Sequence, residues 1–185
     1  GSKWDGARIA QITDIHVGRW SDLEDAREIV EMTNDLQPDI VALTGDYVSR
    51  AGAITPALVE VLRDLHTKNK FAVLGNHDYW ANGSAMIASL ASAGISLLTN
   101  RHEILRREGQ GLCIAGVNDV WSYNPPPDAA RALQGIPEDM PRIVLCHNPD
   151  YAEVVPRNLR IDLMLCGHTH GGQVHIPFFG PPLLP

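Results

Sequence analysis

Short apolar runs and stretches with helical spacing alternate along this chain. Residues 8–13 (RIAQIT) read as a β-strand bounded by polar residues. Across residues 21–36, Leu23, Ala26, Ile29, Val30 and Thr33 recur at helical spacing, and Ser21 followed by Glu24 forms a capping box. Residues 39–45 (DIVALTG) predict a second, buried strand. Thr55–Pro56 is an N-cap and first-position pair for a second helix, which puts Leu58, Val61, Leu62 and Leu65 on one side. A third strand at 70–75 (KFAVLG) and a third helix at 84–94 (SAMIASLASAG), closed by Gly94, follow. Shorter strands come next at 95–98, 102–107 and 111–117, then a short helix near 128–133. The chain continues with RIVLC at 142–146, a segment PDYAEVV at 149–155, and IDLMLC at 161–166. Strands alternating with helices, without internal repeats, predict an α/β layer fold in a single domain.

The size supports that reading: 185 residues can bury a substantial core, and 44% hydrophobic with 20% charged residues is an ordinary soluble balance. No apolar run approaches the roughly 20 residues that span a bilayer. The opening GSK resembles a cloning scar, so a preceding native segment, including a membrane anchor, is left open, and the expected location is cytoplasmic or membrane-associated. A net charge of −7 argues against general nucleic-acid binding. Cys113, Cys146 and Cys166 lie in apolar runs and fit neither a disulfide framework nor a CxxC metal site; they read as buried free thiols.

The candidate chemistry sits at one repeated place, immediately after strands. Asp14 and His16 follow the first, Asp46 the second, and Asn76, His77 and Asp78 the third. His147 follows a later strand, and LCGHTH closes the series with His168 and His170, flanked by Gly167 and Gly171, which imply a tight turn. Each cluster alone is a common turn or a surface histidine. Together they would converge on the carboxyl edge of an α/β sheet, where ligands bind. The donors fit two metal ions: Asp14, His16, Asp46 and His170 for one, and Asp46, Asn76, His147 and His168 for the other, with the Asp46 carboxylate bridging. Nitrogen and oxygen donors without thiolate suit Mn, Fe, Zn or Co better than Ca or Mg. Two such ions about 3.5–4 Å apart are an arrangement for phosphoryl chemistry.

The blocks D-x-H (Asp14–His16), G-D (Gly45–Asp46), G-N-H-D (Gly75–Asp78), H (His147) and G-H-x-H (Gly167–His170) resemble, in order, the calcineurin-like metallophosphoesterases. The longer forms GHTHGGQ and CHNPD are similar to a bacterial phosphodiesterase subgroup that is often membrane-anchored. The resemblance implies a four-layer α/β/β/α sandwich. It also implies hydrolysis of a small phosphoester, most often a phosphodiester, by a hydroxide bridging the two metals. It makes His77 the general acid that protonates the leaving oxygen, with Asp78 orienting its ring. Two divalent ions would raise the formal charge from −7 to −3 and concentrate positive charge in the cleft. Alternatives within the same resemblance are a phosphomonoesterase, a nuclease, an enzyme like those that cleave UDP-diacylglucosamine, or a non-catalytic scaffold. Scaffolds of this fold typically lose ligands that are all present here.

Asp119, after another strand, is expected at the same edge, and Trp20, Tyr79, Trp80 and Trp121 flank the site loops. His66 and His102 read as surface residues. His175 stands where the subgroup resemblance implies an arginine. Fifteen residues follow His170, where the family continues for several strands, so the chain reads as C-terminally truncated. Pro177, Pro181, Pro182 and Pro185 exclude a helix from that tail, and its Val174, Ile176, Phe178, Phe179, Leu183 and Leu184 predict a self-association surface.

Overall fold

The computed structural model of the protein describes residues 2–49, 56–122 and 125–172. Thr55, His175 and the apolar tail, with the self-association expected of it, lie outside the described residues. In chain order the elements are β1 (Ile9–Ile12), α1 (Leu23–Asp35), β2 (Ile40–Leu43), α2 (Pro56–Arg63), β3 (Lys70–Ala72), α3 (Asn76–Ser92) and β4 (Ser96–Leu97). Then follow β5 (Arg101–Arg107), β6 (Gln110–Gly116), α4 (Ala129–Ala132), β7 (Arg142–Leu145), α5 (Tyr151–Val154) and β8 (Leu163–Leu165), with a 3₁₀ turn at His170–Gly172.

The strands form two sheets of four, ordered β1-β2-β3-β4 and β5-β6-β7-β8. The first is parallel throughout; in the second β5 runs antiparallel to β6 and the rest are parallel. Strand side chains alternate between faces, and that alternation builds the layers. Val41 and Leu43 of β2 pack with Val30 of α1, Leu58, Val61 and Leu62 of α2 and Met86 and Leu90 of α3, whereas Ile40 and Ala42 face the other way. There they meet Phe71 and Val73 from the first sheet and Leu112, Ile114, Ile143 and Leu145 from the second. The opposite faces of β6 and β7, Cys113, Ala115 and Val144, pack on Ala129 and Ala132 of α4 and Tyr151 of α5. Three apolar layers thus separate helices, sheet, sheet and helices, the expected α/β/β/α sandwich.

Three local expectations shift. The N-cap of α1 is Asp22, one residue beyond Ser21: its carboxylate accepts from the N–H of Glu24 at 2.8 Å and Asp25 at 3.1 Å, while Asp25 accepts from the N–H of Asp22 at 2.8 Å. The Ser21 hydroxyl donates instead to the Ile15 carbonyl. Second, α3 begins at Asn76, well before residue 84. It is interrupted at Asn82, which is extended (φ −178°, ψ 90°) and whose side chain accepts from the N–H of Ala85 at 3.1 Å, capping the second segment. The expected helix is that second segment; the first carries the GNHD residues. Third, the two short strands around residue 100 belong to different sheets. The chain crosses at the buried Asn100, which has φ 50° and whose side-chain oxygen accepts from the N–H of Asn118 at 3.0 Å and Asp128 at 2.9 Å. His102 is not a surface residue: it is half-buried, with Nδ1 2.6 Å from the Ala132 carbonyl. The cysteines are free, with Cys113 and Cys146 buried, and burial pushes the Cys113 thiol up to about 11.

Candidate metal centre

Each polar cluster leaves the carboxyl end of a strand, and the loops after β1, β2, β3, β7 and β8 meet between the two sheets. The N–H of Asp14 donates to the Gly45 carbonyl and that of His16 to the Asp46 carbonyl, both at 3.0 Å, while the N–H of Gly167 donates to His147 at 2.9 Å. The loops approach so closely that a side chain would intrude. A Cβ on Gly167 would lie 2.6 Å from Asp14 Oδ2 and nearer still to the Thr13 hydroxyl, and one on Gly45 (φ 95°) would lie 2.8 Å from His147 Nδ1. Gly167 therefore serves proximity, and the tight turn expected of it falls to its neighbours. His168 has φ 72° at the centre of a three-residue turn closed by the Thr169 N–H on the Gly167 carbonyl at 2.9 Å, and His170 has φ 49°. Asp14, His16 and Asp46 are also left-handed, at 53°, 52° and 55°, a backbone state that non-glycine residues hold only where the surroundings impose it. Gly167→Ala is expected to displace Asp14 and destabilise the fold by about 1–3 kcal/mol, read as a lower midpoint of chemical unfolding with weakened metal binding.

All seven expected ligands are brought together, in two groups that meet at Asp46. On one side His16 Nε2 lies 3.6 Å from Asp46 Oδ2 and 3.2 Å from His170 Nε2, and His170 Nε2 lies 3.4 Å from Asp14 Oδ1. On the other, His147 Nε2 lies 3.3 Å from Asp46 Oδ2, 3.2 Å from Asn76 Oδ1 and 3.2 Å from His168 Nδ1. Asp46 Oδ1 is occupied, accepting from the N–H of His77 at 2.9 Å, so the single oxygen Oδ2 faces both groups. The His147 ring is set by the Thr44 carbonyl, 2.8 Å from Nδ1, which leaves its Nε2 lone pair for the site. The donor atoms of Asp14, His16 and His170, and of Asp46, His147 and His168, each lie within 4.8 Å of one another. Unlike donors this close, buried except for the rim residue His170 and the half-buried Asp14, fit divalent cations.

His77 has a different environment from the one its sequence neighbours suggested. Its Nδ1 lies 2.8 Å from the Ser49 carbonyl, so that nitrogen carries the hydrogen. Asp78 does not orient the ring. Its carboxylate accepts from the backbone N–H of Asp46 at 2.8 Å, Tyr47 at 2.9 Å and Gly75 at 3.0 Å, tying the β2 and β3 loops together. Ser49 and Thr44 escaped sequence reading because a backbone carbonyl leaves no trace in residue identity. His77 also falls within 4.8 Å of donors on His16 and Asp46, which puts it at the edge of the first group.

The electrostatics favour a proton held between His147 and Asp46. Burial opposes charging His147, but its hydrogen bond to Asp46 and that residue's charge prevail and raise it to about 9. Burial lowers His16 and His168. Burial and the Asp46 charge push Asp78 up to about 7 against its three N–H bonds. Because the folded His147 value lies above the ordinary histidine value of about 6.5, the stability it adds to the metal-free protein is present below about pH 6.5 and lost as pH rises through about 9. Metal binding at pH 7.5 is therefore expected to release about one proton per chain from this residue, falling to about half near pH 9 and toward none well above it. Titration in two buffers of different protonation enthalpy measures this.

Asp119, buried, accepts from the Trp121 N–H at 2.8 Å, and its second oxygen has no hydrogen-bond partner among the described residues. Of the four aromatic residues expected at the loops, Tyr79 turns inward and its hydroxyl donates to Asn118, and Trp20 lies under the Arg19 guanidinium at 4.7 Å. Trp80 and Trp121 stand at the mouth of the site.

Residues 7–172 match the family described as calcineurin-like phosphoesterase. The chain is 32% identical over 187 residues to the uncharacterized metallophosphoesterase YkuE of Bacillus subtilis, covering 98% of this chain and 64% of that protein. It is 35% identical over 184 residues to the phosphodiesterase YaeI of Escherichia coli, covering 96% of this chain and 66% of that protein. The chain thus spans slightly under two thirds of the length of these relatives. A 31% identical relative, the transmembrane protein with metallophosphoesterase domain of Danio rerio, is covered over 41% of its length, with 91% of this chain aligned. Among solved structures, a 5'-nucleotidase precursor from Thermus thermophilus aligns with TM-score 0.64 at 12% identity, covering 89% of this chain and 42% of that one. The NAD nucleotidase of Haemophilus influenzae aligns with TM-score 0.62 at 17% identity, covering 89% and 38%. At such identities these structures share the fold alone. The family match over nearly the whole chain makes the protein a member of the calcineurin-like phosphoesterase family.

Proposed function

We propose that this chain is a dimetal-dependent phosphodiesterase acting on small phosphoesters. One observation carries the reading: a single carboxylate oxygen, Asp46 Oδ2, stands between two groups of ring nitrogens, 3.6 Å from His16 and 3.3 Å from His147. Asp14, His16, Asp46 and His170 would hold one ion, and Asp46, Asn76, His147 and His168 the other. When bound, the ions supply the positive charge that neutralises a phosphoryl group and the means to activate water. His77 acts on the leaving side. With Nδ1–H directed at the Ser49 carbonyl, Nε2 is the atom that delivers a proton to the departing oxygen. Asp78 acts through the backbone, holding the β2 and β3 loops in register under Asp46 and His77. The name of the YaeI relative supports a diester over a monoester. No helix among the described residues is long and apolar enough to cross a membrane, and membrane proximity is supported by relatives named as transmembrane proteins.

The protein is stripped of metal and Mn, Zn, Fe or Co is added back singly. Hydrolysis of bis-(4-nitrophenyl) phosphate is expected to exceed that of the mono ester. Faster cleavage of the mono ester would shift the reading to a phosphomonoesterase. Absence of turnover with every metal, with two ions bound, would leave a non-catalytic scaffold.

A further inference from the structure

Trp80 and Trp121 are large apolar side chains kept in water, 60% and 44% exposed, directly beside the buried metal centre. They are ordered against one another: the rings lie 5.7 Å apart with 11° between their planes. Each also touches a different part of the site. Trp80 lies 4.9 Å from the His77 ring and Trp121 5.0 Å from the His168 ring. The pair therefore forms a wall from the leaving-group side to the second ligand group. Both members are braced. Trp80 sits in the first turn of α3, and the backbone of Trp121 is held by the buried Asp119, whose own carbonyl accepts from the Ser122 N–H at 3.0 Å. Leaving indole rings in water is costly, and fixing them there is useful when a ligand covers them.

We infer that Trp80 and Trp121 form a stacking platform that takes a flat aromatic group, carbocyclic or heterocyclic, on the alcohol of the phosphoester substrate. This rests on the phosphodiesterase reading above. The rings already stand in an offset parallel stack, and a third flat ring extends it with the same geometry, whereas a saturated chain gains only contact area. The side is set by His77: the group whose oxygen receives its proton lies against Trp80. A membrane surface is the competing occupant, but rings in contact with His77 and His168 face the site.

The test uses methyl(phenethyl)phosphinate and its ring-saturated counterpart, phosphodiester mimics with no ester bond to cleave, titrated calorimetrically into the manganese-loaded protein. The aromatic compound is expected to bind about 2- to 13-fold tighter, the margin by which stacked rings exceed burial of equal area. Trp80→Ala and Trp121→Ala should each remove most of that preference, and Trp80→Phe should retain part of it. Equal affinities in the parent overturn the inference, as do failure of both compounds to bind and a preference unchanged in both alanine variants. Loss of phosphatidylglycerol-vesicle binding in the alanine variants, with the preference intact, assigns the pair to a membrane and also overturns it. An intact preference without hydrolysis of any diester sinks the phosphodiesterase reading and leaves the platform standing.

Discussion

Asp46→Ala is expected to strip the protein of both ions and abolish turnover, a larger loss than removal of any terminal ligand. Among the described residues Oδ2 of Asp46 is the atom that faces both groups, and Oδ1 fixes the backbone of His77. The substitution therefore removes a ligand from each group and releases the loop that carries Asn76 and His77. Its effect should exceed the roughly 10–100-fold loss of metal affinity that follows removal of a residue merely hydrogen-bonded to a ligand. It also leaves buried His147 without its carboxylate partner, at a cost of about 1–3 kcal/mol in the metal-free protein. The contrast is His170→Ala. That side chain is 30% exposed, at the rim, and belongs to one group. It should cost one ion. Metal counting by mass spectrometry on both variants decides the matter: two ions retained per chain in Asp46→Ala would show that this carboxylate is not shared.

His77→Asn is expected to lower turnover by about 10²–10⁴-fold on alkyl phosphodiesters while the metal content stays at two. Asparagine can still reach toward the Ser49 carbonyl as an N–H donor, and the Asp46 contact is made by the backbone N–H, which the substitution keeps. The loss should shrink on nitrophenyl esters, whose leaving oxygen departs without a proton. A uniform loss across leaving groups, accompanied by loss of one ion, would instead make His77 a metal ligand, which its closeness to His16 and Asp46 allows. Asp78→Asn separates the two supports. It should disturb folding of the β2 and β3 loops more than the leaving-group dependence, because its partners are three backbone N–H groups.

What the residues by themselves supplied is a candidate ligand set and an α/β layer fold; the four-layer order was implied by the family resemblance. Asp14, His16, Asp46, Asn76, His147, His168 and His170 are chemically distinctive, and each follows an apolar run that reads as a strand, so identity and position together made them the candidate ligands. The apolar runs IVAL and RIVL likewise prescribe strands buried on both faces, as in an α/β layer fold. Tertiary structure decided what depends on backbone atoms and on direction. Asp78 looked like a partner for its neighbour His77, but residues at adjacent positions in a helical turn point apart, and its carboxylate turned to three N–H groups instead. Ser49 acquired its role through a carbonyl, which every residue possesses. Gly167 was legible as a turn and proved to be a clearance, because the strain of turning could be borne by His168 and His170 once neighbouring loops held them. The stacking of Trp80 on Trp121, which are remote in sequence, needed the two sheets to be packed before it existed.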